Sequence, residues 1–256
     1  MPFGCSTLAV ESAEGERLFG KNFDWNRCDA LIVKSKSESG YVSISTVNTN
    51  FIQGIPFSAL PDETKALIAL YAPLDGMNEK GLAVSVNMIS DSSNISQNTN
   101  KPDITTTTAI RLLLNKAATV EEAISLLQEY DFHVSMNFMV HLAIADADGN
   151  SVVVEYINNE MSVVETPIVT NFYLTEGEKY GVGTGQSHER FEILKERLKT
   201  GAMSMADVRD ALSSVSKGNF GEFESTEWSI VFNQTTGEVH YYHRENYENR
   251  YTFTVK

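Results

Sequence analysis

Residues 5–25, CSTLAVESAEGERLFGKNFDW, contain two short runs with strand-forming residues on either side of an acidic turn. The runs at residues 6–11 and 17–23 have the length and the branched or aromatic side chains typical of β-strands. Residues 13–16 between them contain the glycine and acidic residues common in turns. We therefore predict an antiparallel pair of strands at the start of the chain.

The rest of the chain predicts further strands with two pairs of helices between them. Leucine and isoleucine recur at helical spacing in two central segments, and Thr119 precedes two glutamates as a suitable N-cap. The pair Asp75-Gly76 predicts a turn, and residues 90–101 predict a polar loop. Parallel-sheet folds alternate strand and helix regularly, so we expect instead an α+β fold of two stacked, mostly antiparallel sheets flanked by helices. The other predicted strands are 31–34, 41–47, 81–86, 138–146, 151–156, 161–171, 228–232, 238–243 and 250–255; the predicted helices are 106–116, 120–128, 188–198 and 205–215.

The composition limits the partners and the location that we expect. The 256 residues include 34 acidic and 20 basic side chains, which gives a formal charge of −14. This charge argues against binding to nucleic acid or to an anionic membrane surface. The sequence shows neither a secretory signal nor the roughly 18 consecutive apolar residues of a membrane span. We expect a single cytoplasmic domain over residues 1–256.

Most residues that could perform chemistry have an ordinary structural interpretation. The five histidines lack the i, i+4 spacing of zinc ligands on a helix. His133 and His141 are interpreted as core or surface fillers, and Cys28 as an inert structural thiol. We therefore expect no zinc site, and the one-residue chemistry suggested below for Cys5 implies no metal or organic cofactor.

Cys5 differs because of its position directly before a predicted strand and after Gly4. A cysteine at the first position of a mature chain has its own general base, since a free α-amino group has a pKa of about 7.7–8.0. Thiol and base would then come from one residue. Position alone leaves open whether Cys5 is such a nucleophile or a small buried residue.

Short segments spread over nearly the whole chain occur in a fixed order after Cys5. They are Phe19-Gly-Lys-Asn-Phe-Asp24-Trp25, Asp75-Gly-Met-Asn-Glu-Lys-Gly-Leu82 followed by Asn87, Val152-Val-Val-Glu155, Val169-Thr-Asn171 and Ser187-His-Glu-Arg190-Phe191. In this order they resemble the choloylglycine hydrolase family, which contains bile salt hydrolases and penicillin V acylases. Acyl-CoA:6-aminopenicillanate acyltransferases are related to it.

The resemblance implies an N-terminal nucleophile (Ntn) hydrolase with an αββα sandwich. Cys5 would attack an amide carbonyl and form a thioester, with its α-amine as the base. Asp24 would hold and orient that amine. Asn87 and Asn171 would lie near the carbonyl oxygen as oxyanion donors. Arg190 would stabilise the charge of the active site from the start of a helix.

Other features of the resemblance concern the substrate and the N-terminus. Lys21 stands where bile salt hydrolases usually have arginine, and with Trp25 it is assigned to substrate binding. The base is free only if the Gly4–Cys5 bond is cut, so residues 1–4 would be an autocleaved propeptide. The short stretch between Asn171 and Arg190 lacks the insertion that helps bile salt hydrolases assemble, so their tetramer is not expected; other homo-oligomers remain open. The candidate acyl-pocket residues are Phe23, Trp25, Phe51, Phe57 and Phe138.

The predicted function is hydrolysis of a linear, non-peptide C–N bond in a small N-acyl amide. N-acyl amino acids, penicillin V and bile acid conjugates are all compatible with the sequence. One alternative is an acyltransferase on the same scaffold, in which an amine instead of water takes the acyl group. Another alternative is an unprocessed, non-catalytic protein that binds a ligand.

Overall fold

The computed structural model describes residues 4–183, 185–220 and 225–256. The helices and strands of these residues are, in chain order, β1 (Gly4–Glu11), β2 (Arg17–Trp25), β3 (Ala30–Lys36), β4 (Val42–Asn48), α1 (Asp62–Ala69), β5 (Asp75–Asn78), β6 (Ala83–Met88), β7 (Asp103–Thr105), α2 (Thr106–Lys116), α3 (Val120–Gln128), β8 (Asp131–His133), β9 (Val140–Ala145), β10 (Ser151–Ile157), β11 (Glu160–Glu165), β12 (Ile168–Val169), α4 (Gly185–Leu198), α5 (Met205–Ser214), β13 (Ser225–Asn233), β14 (Glu238–His243) and β15 (Arg250–Thr254).

Two large sheets form the centre of the fold. The first has six strands in the order β12-β1-β2-β13-β14-β15, and the second has seven in the order β11-β10-β9-β6-β5-β4-β3. All pairings within both sheets are antiparallel. The short strands β7 and β8 form a separate parallel pair. This arrangement confirms the predicted α+β class with mostly antiparallel sheets.

Helices cover the outer face of each sheet. Helices α4 and α5 pack on β1, β2 and β13 of the first sheet, while α2 and α3 pack on strands of the second. Leu8 and Leu18 face α4 and α5, whereas Cys5, Phe19 and Phe23 belong to the core shared with the second sheet. This division follows from the alternation of side chains along a strand. The four layers are therefore helix, sheet, sheet and helix.

The pairing of β1 places residues 4–11 inside the first sheet, between β12 and β2. Gly4 pairs with Asp24, and Cys5 pairs with Phe23. On the other side, β12 pairs with β1 and ends directly before Thr170 and Asn171. The predicted N-terminal strand pair is confirmed, and its register brings the start of β1 next to the end of β2.

Two of the local predictions are wrong. Asp75 and Gly76 do not form a turn: they lie in β5, where β4 and β6 pair with them from both sides. The predicted strand 161–171 is two strands in different sheets, β11 and β12, and Pro167 lies at the break. Proline has no N–H for a sheet ladder, so the chain leaves one sheet there and joins the other.

Other local features follow the sequence. All four predicted helices are present within one or two turns of the expected bounds. Thr119 caps α3, since its hydroxyl accepts a hydrogen bond of 3.2 Å from the Glu122 N–H. Helix α1 and strands β7 and β8 were not predicted. Within residues 4–183, 185–220 and 225–256, no helix is long and apolar enough to cross a membrane.

Candidate active site

Cys5 is buried at the start of β1, and its backbone is held by two of the predicted site residues. Its N–H donates to Asn171 Oδ1 over 2.7 Å, and its carbonyl oxygen accepts from Arg190 over 2.6 Å. Asn171 comes from the segment after β12 and Arg190 from α4. The structure therefore brings together three residues that are far apart in the sequence, with the amide nitrogen of Cys5 in the middle.

Arg190, in α4, bonds to several members of this cluster. The side chain is fully buried and donates 2.7 Å to Ser6 Oγ and 2.8 Å to Asn171 Oδ1, besides its bond to Cys5. Its guanidinium lies 3.8 Å from Asp24 Oδ2. A planar guanidinium serves several acceptors at fixed angles, which the single nitrogen of lysine cannot reproduce.

Asp24 has one satisfied oxygen and one free oxygen. Its Oδ1 accepts from Thr226 Oγ1 over 2.7 Å, but Oδ2 has no hydrogen-bond donor among the described residues. Burial raises the pKa of the Asp24 carboxyl above its ordinary value, although the positive charge of Arg190 opposes this shift. An unpaired buried carboxylate oxygen is costly unless a donor reaches it. It therefore marks a position where another N–H group would be favourable.

Gly4 lies against that free oxygen. It is buried, and a Cβ at this position would collide with Asp24 Oδ2 and come within 2.6 Å of Lys217 Cε. Only glycine fits here without displacing buried charged groups. Close packing thus explains why glycine precedes Cys5. The first three residues of the predicted propeptide lie outside the described part of the chain.

Lys21 and Asn87 connect the two sheets. The Lys21 Nζ is buried and donates 2.9 Å to the Val86 carbonyl oxygen and 3.0 Å to Asn87 Oδ1. The Asn87 amide group donates in turn to the carbonyl oxygens of Val169 and Thr170, over 3.2 and 3.1 Å. Both hydrogens of this amide are thus directed at backbone oxygens. The oxyanion role of Asn87 stays a prediction that requires these bonds to rearrange.

Trp25 ends β2 within a group of aromatic side chains. Its ring lies 6.1 Å from the ring of Phe23, and contacts Phe51 and Phe138 edge-on with centroid distances of 5.2 and 6.0 Å. Phe51 and Phe138 line an apolar pocket of about 170 Å³, whose wall includes Val86 and Met88 on either side of Asn87. Phe23, Trp25 and Phe57, also predicted for an acyl pocket, are not among its lining residues.

Lys217, Glu155 and His141 lie around this cluster but were not predicted as site residues. Lys217 is buried beside Gly4 and donates 3.1 Å to Gln186 Oε1. Nothing in the local sequence distinguishes it. Glu155 and His141 are both fully buried, and Glu155 Oε1 lies 2.9 Å from His141 Nδ1. Glu155 is the last residue of the Val152-Val-Val-Glu155 motif. An acidic residue directly after three valines of a strand could have indicated a buried carboxylate.

Cys28 is buried away from these residues and has different chemistry. Burial, together with the nearby negative charge of Glu227, raises the pKa of the Cys28 thiol to about 12. A thiol with that pKa is protonated near neutral pH and is a poor nucleophile. This agrees with its interpretation as an inert residue. Over the described residues, no group of three or more His, Cys, Asp or Glu side chains could hold a metal ion.

The raised pKa of Asp24 predicts a pH-dependent stability. A buried carboxyl with a raised pKa favours the folded state when protonated, so its contribution is present below its ordinary pKa and is lost as the pH rises through the folded value. We expect Asp24→Asn to reduce the fall in the free energy of unfolding that occurs as the pH rises above about 4. Urea unfolding at several pH values measures this.

The matched control is Asp62→Asn. This side chain is almost fully exposed, so water solvates its carboxylate in the folded and unfolded states. The control removes an exposed carboxylate instead of a buried one, so it should alter the curve of stability against pH less than Asp24→Asn does. A curve for Asp24→Asn that coincides with the wild-type curve would contradict the assigned effect of burial.

Sequence comparison identifies the family. Residues 11–247 match the family described as acyl-coenzyme A:6-aminopenicillanic acid acyl-transferase. The chain belongs to this family. The match begins after Cys5 but includes the six other residues predicted for catalysis or substrate binding, which are Lys21, Asp24, Trp25, Asn87, Asn171 and Arg190. The family relationship predicted from the ordered motifs is confirmed.

One curated relative matches a shorter stretch. Over 99 residues the chain is 29% identical to penicillin V acylase from Pectobacterium atrosepticum, a match covering 35% of this chain and 26% of that protein. The match thus spans only about a quarter of the length of that relative.

Solved structures match over almost the full length. A variant of conjugated bile acid hydrolase from Clostridium perfringens has a TM-score of 0.72 at 18% identity, with 98% of this chain and 92% of that chain covered. Penicillin V acylase from Agrobacterium tumefaciens has a TM-score of 0.58 at 16% identity, with 93% and 83% covered. At these identities the likeness shows the fold, which is the Ntn-hydrolase αββα sandwich that the motifs implied.

Proposed function

We propose that this family member is an N-terminal-cysteine amidohydrolase that cleaves the linear, non-peptide amide bond of an N-acyl substrate through a thioester. The observation that carries the proposal is the set of side chains that surround the backbone nitrogen of Cys5. That nitrogen is bonded to Asn171, while Arg190 holds the Cys5 carbonyl and Asp24 has a free oxygen beside Gly4. A buried cluster of this kind around a backbone nitrogen is expected if that nitrogen becomes a functional amine.

The amine is released by processing at Gly4–Cys5. The Cys5 sulfur bonds to the Gly4 carbonyl carbon, the C–N bond breaks, and the Cys5 nitrogen takes a proton and becomes the α-amine. Water then cleaves the thioester, so residues 1–4 leave as a carboxylic acid and the thiol is restored. The closeness of Gly4 to Asp24 supports a hydrogen bond from the new amine to Asp24 Oδ2, which accepts none from the described residues.

The same steps act on an external amide. The α-amine takes the thiol proton, the sulfur attacks the acyl carbon, and the amine product leaves with a proton from the α-ammonium group. Water then releases the acyl group as an acid. Asn171, and Asn87 after rearrangement, are the proposed donors to the oxyanion, and loss of one such donor typically costs about 10²–10³ in rate. Nucleophile and base come from Cys5, so these steps use no metal or organic cofactor.

The apolar pocket indicates the size of the acyl group. Its volume is about 170 Å³, and an engineered apolar cavity of about 150 Å³ binds benzene. Pockets for drug-sized ligands start at about 300 Å³. We therefore infer an acyl group with one aromatic ring or a short chain, as in an N-acyl amino acid or penicillin V, rather than a steroid. Trp25 supports the pocket through Phe51 and Phe138, and Lys21 positions Asn87 beside it.

A variant that narrows the pocket tests this assignment. Ala72 lines the pocket, so Ala72→Phe should lower kcat/KM for a phenylacetyl amide relative to an acetyl amide by about 10–200-fold, the range for adding or removing small apolar groups. Ala13→Phe, in an exposed turn, is the control with the same substitution. If both variants keep the wild-type ratio of the two substrates, the acyl group binds elsewhere.

The family match gives a specific reason to consider acyl transfer as a second function. In that case an amine attacks the thioester instead of water. The experiment that decides between the two is a panel of N-acyl amides incubated with and without an added amine, with mass analysis of the products and of the protein. Free acid alone indicates hydrolysis, whereas a new amide indicates transfer.

The mass of the protein completes the test. We expect a chain that begins at Cys5. An active protein that retains residues 1–4 would contradict the proposed base, and a processed protein that acts on no amide would contradict the proposed reaction. A protein that is both unprocessed and inactive would support the alternative of a non-catalytic binding protein. Light scattering of the same sample tests the prediction that the bile salt hydrolase tetramer does not form.

A further inference from the structure

A buried histidine and glutamate lie in the second sheet, next to the site but outside the proposed chemistry. His141 is in β9 and Glu155 in β10, with exposed fractions of 1% and 0%. His141 Nδ1 lies 2.9 Å from Glu155 Oε1, and its Nε2 lies 3.0 Å from the carbonyl oxygen of Thr170. Burying two charged side chains costs free energy unless further hydrogen bonds satisfy them. The other hydrogen-bond partners of His141 and Glu155 therefore need to be examined.

The hydrogen-bond partners determine the charge of both side chains. The Glu155 carboxylate also accepts from the N–H groups of Leu174 and Thr175, over 3.0 and 2.8 Å, so both of its oxygens act as acceptors. Burial opposes its ionisation, but these bonds and His141 outweigh that effect and lower the pKa of Glu155. Since both ring nitrogens of His141 face acceptors, both must carry hydrogen. These hydrogen-bond partners fit an imidazolium ring paired with a carboxylate.

The pair holds both ends of one short segment. His141 bonds to Thr170, at the start of residues 170–175, and Glu155 bonds to Leu174 and Thr175, at the end. Asn171 lies inside this segment, with its Oδ1 bonded to the Cys5 nitrogen. The position of Asn171 therefore depends on the hydrogen bonds that hold both ends of this segment.

We propose that the His141–Glu155 ion pair is a positioning unit that fixes Asn171 against the nitrogen and the reacting carbonyl at Cys5. The proposal rests on the proposed function. His141 and Glu155 do not touch the substrate in this proposal and act only through residues 170–175.

A double-mutant cycle on kcat tests the proposal. Glu155→Gln should lower kcat by about 10²-fold, the size expected when a reacting group is misplaced by about 1 Å. KM should change much less, because the apolar pocket is not part of the unit. In the Asn171→Ala background, Glu155→Gln should cause almost no further loss, since the residue it positions is gone. Glu155→Asp, which keeps the charge, should recover part of the activity.

The control is a second His–Glu pair. His240 Nε2 lies 2.6 Å from Glu238 Oε1 in β14 of the other sheet, so Glu238→Gln should leave kcat unchanged. Equal losses for Glu155→Gln in the presence and absence of Asn171 would overturn the proposal, because they would show a purely structural effect. If Glu155→Gln does not fold, His141→Gln is used in the same cycle with the same expectations.

Two measurements do not depend on activity and separate this proposal from the proposed function. Nitrogen NMR of labelled histidine should show hydrogen on both His141 nitrogens near neutral pH; a neutral ring would overturn the proposal. Amide hydrogen exchange over residues 170–175 should become faster in Glu155→Gln and stay unchanged in Glu238→Gln. If the wild type has no amidase activity, the proposed function fails, while unchanged exchange in Glu155→Gln overturns the anchoring itself.

Discussion

Cys5→Ala is expected to remove both hydrolysis of acyl amides and release of residues 1–4. The sulfur forms the bond in both reactions, so one substitution stops both. Loss of a nucleophile that acts with its base as a unit lowers kcat by about 10⁶ in a serine protease, and we expect a loss of at least about 10⁴ here. Product analysis measures the first effect, and the intact mass of the purified protein measures the second.

Cys28→Ala is the matched control. The Cys28 thiol is buried and has a raised pKa, so its removal should leave processing and kcat at wild-type values. Activity that persists in Cys5→Ala would refute the thioester mechanism. If Cys5→Ala still loses residues 1–4, another nucleophile or an external protease performs the cleavage, and autoprocessing would be rejected.

Arg190→Met is expected to reduce stability and activity together. It removes hydrogen bonds to Cys5, Ser6 and Asn171, and deprives the Asp24 carboxylate of the guanidinium 3.8 Å away. Removing one partner from a buried ion pair typically costs about 3–5 kcal/mol. Urea unfolding measures this cost, and kcat should also fall because Asn171 loses one of its two donors at Oδ1.

Two further variants separate the effect of losing the Arg190 charge from the effect of losing its hydrogen bonds. Adding Asp24→Asn to Arg190→Met removes the uncompensated carboxylate, so it should restore part of the stability without restoring activity. Lys195→Met removes a cation from an exposed pair on the same helix, where such pairs contribute at most about 1 kcal/mol. Equal unfolding free energies for Arg190→Met and Lys195→Met would refute the assigned role of Arg190.

Much of the local structure could be predicted because it depends on residues that are close together in the sequence. The first two strands and the four predicted helices depend on side-chain alternation, helical spacing and capping. Asp75-Gly76 shows the limit of this approach. The pair is typical of a turn, yet here hydrogen bonds from β4 and β6 on both sides hold it in an extended strand. Tertiary pairing overrides a local preference of this size.

The candidate site divides in the same way. Cys5, Asp24, Asn171 and Arg190 were named from ordered motifs, and the structure brings them into one buried cluster. Lys217 could not be predicted as a site residue from the sequence. Only the packing of the folded chain places it against Gly4 and near Asp24. The bonding of Asn87 to two carbonyl oxygens could not be predicted either, since those oxygens belong to the last residue of β12 in the other sheet and to the residue after it.

The sequence by itself determined the type of fold, the family and the identity of the proposed nucleophile. Periodicity, turn chemistry and motif order are properties of the chain alone, and Cys5 follows the only residue type that fits before it. Only the tertiary structure decided that no described residue donates a hydrogen bond to Asp24 Oδ2, that His141 Nδ1 meets Glu155 Oε1 in the core, and that the apolar pocket has a volume of about 170 Å³. Burial and hydrogen-bond partners determine these properties, and both arise from residues that meet only after the two sheets pack together.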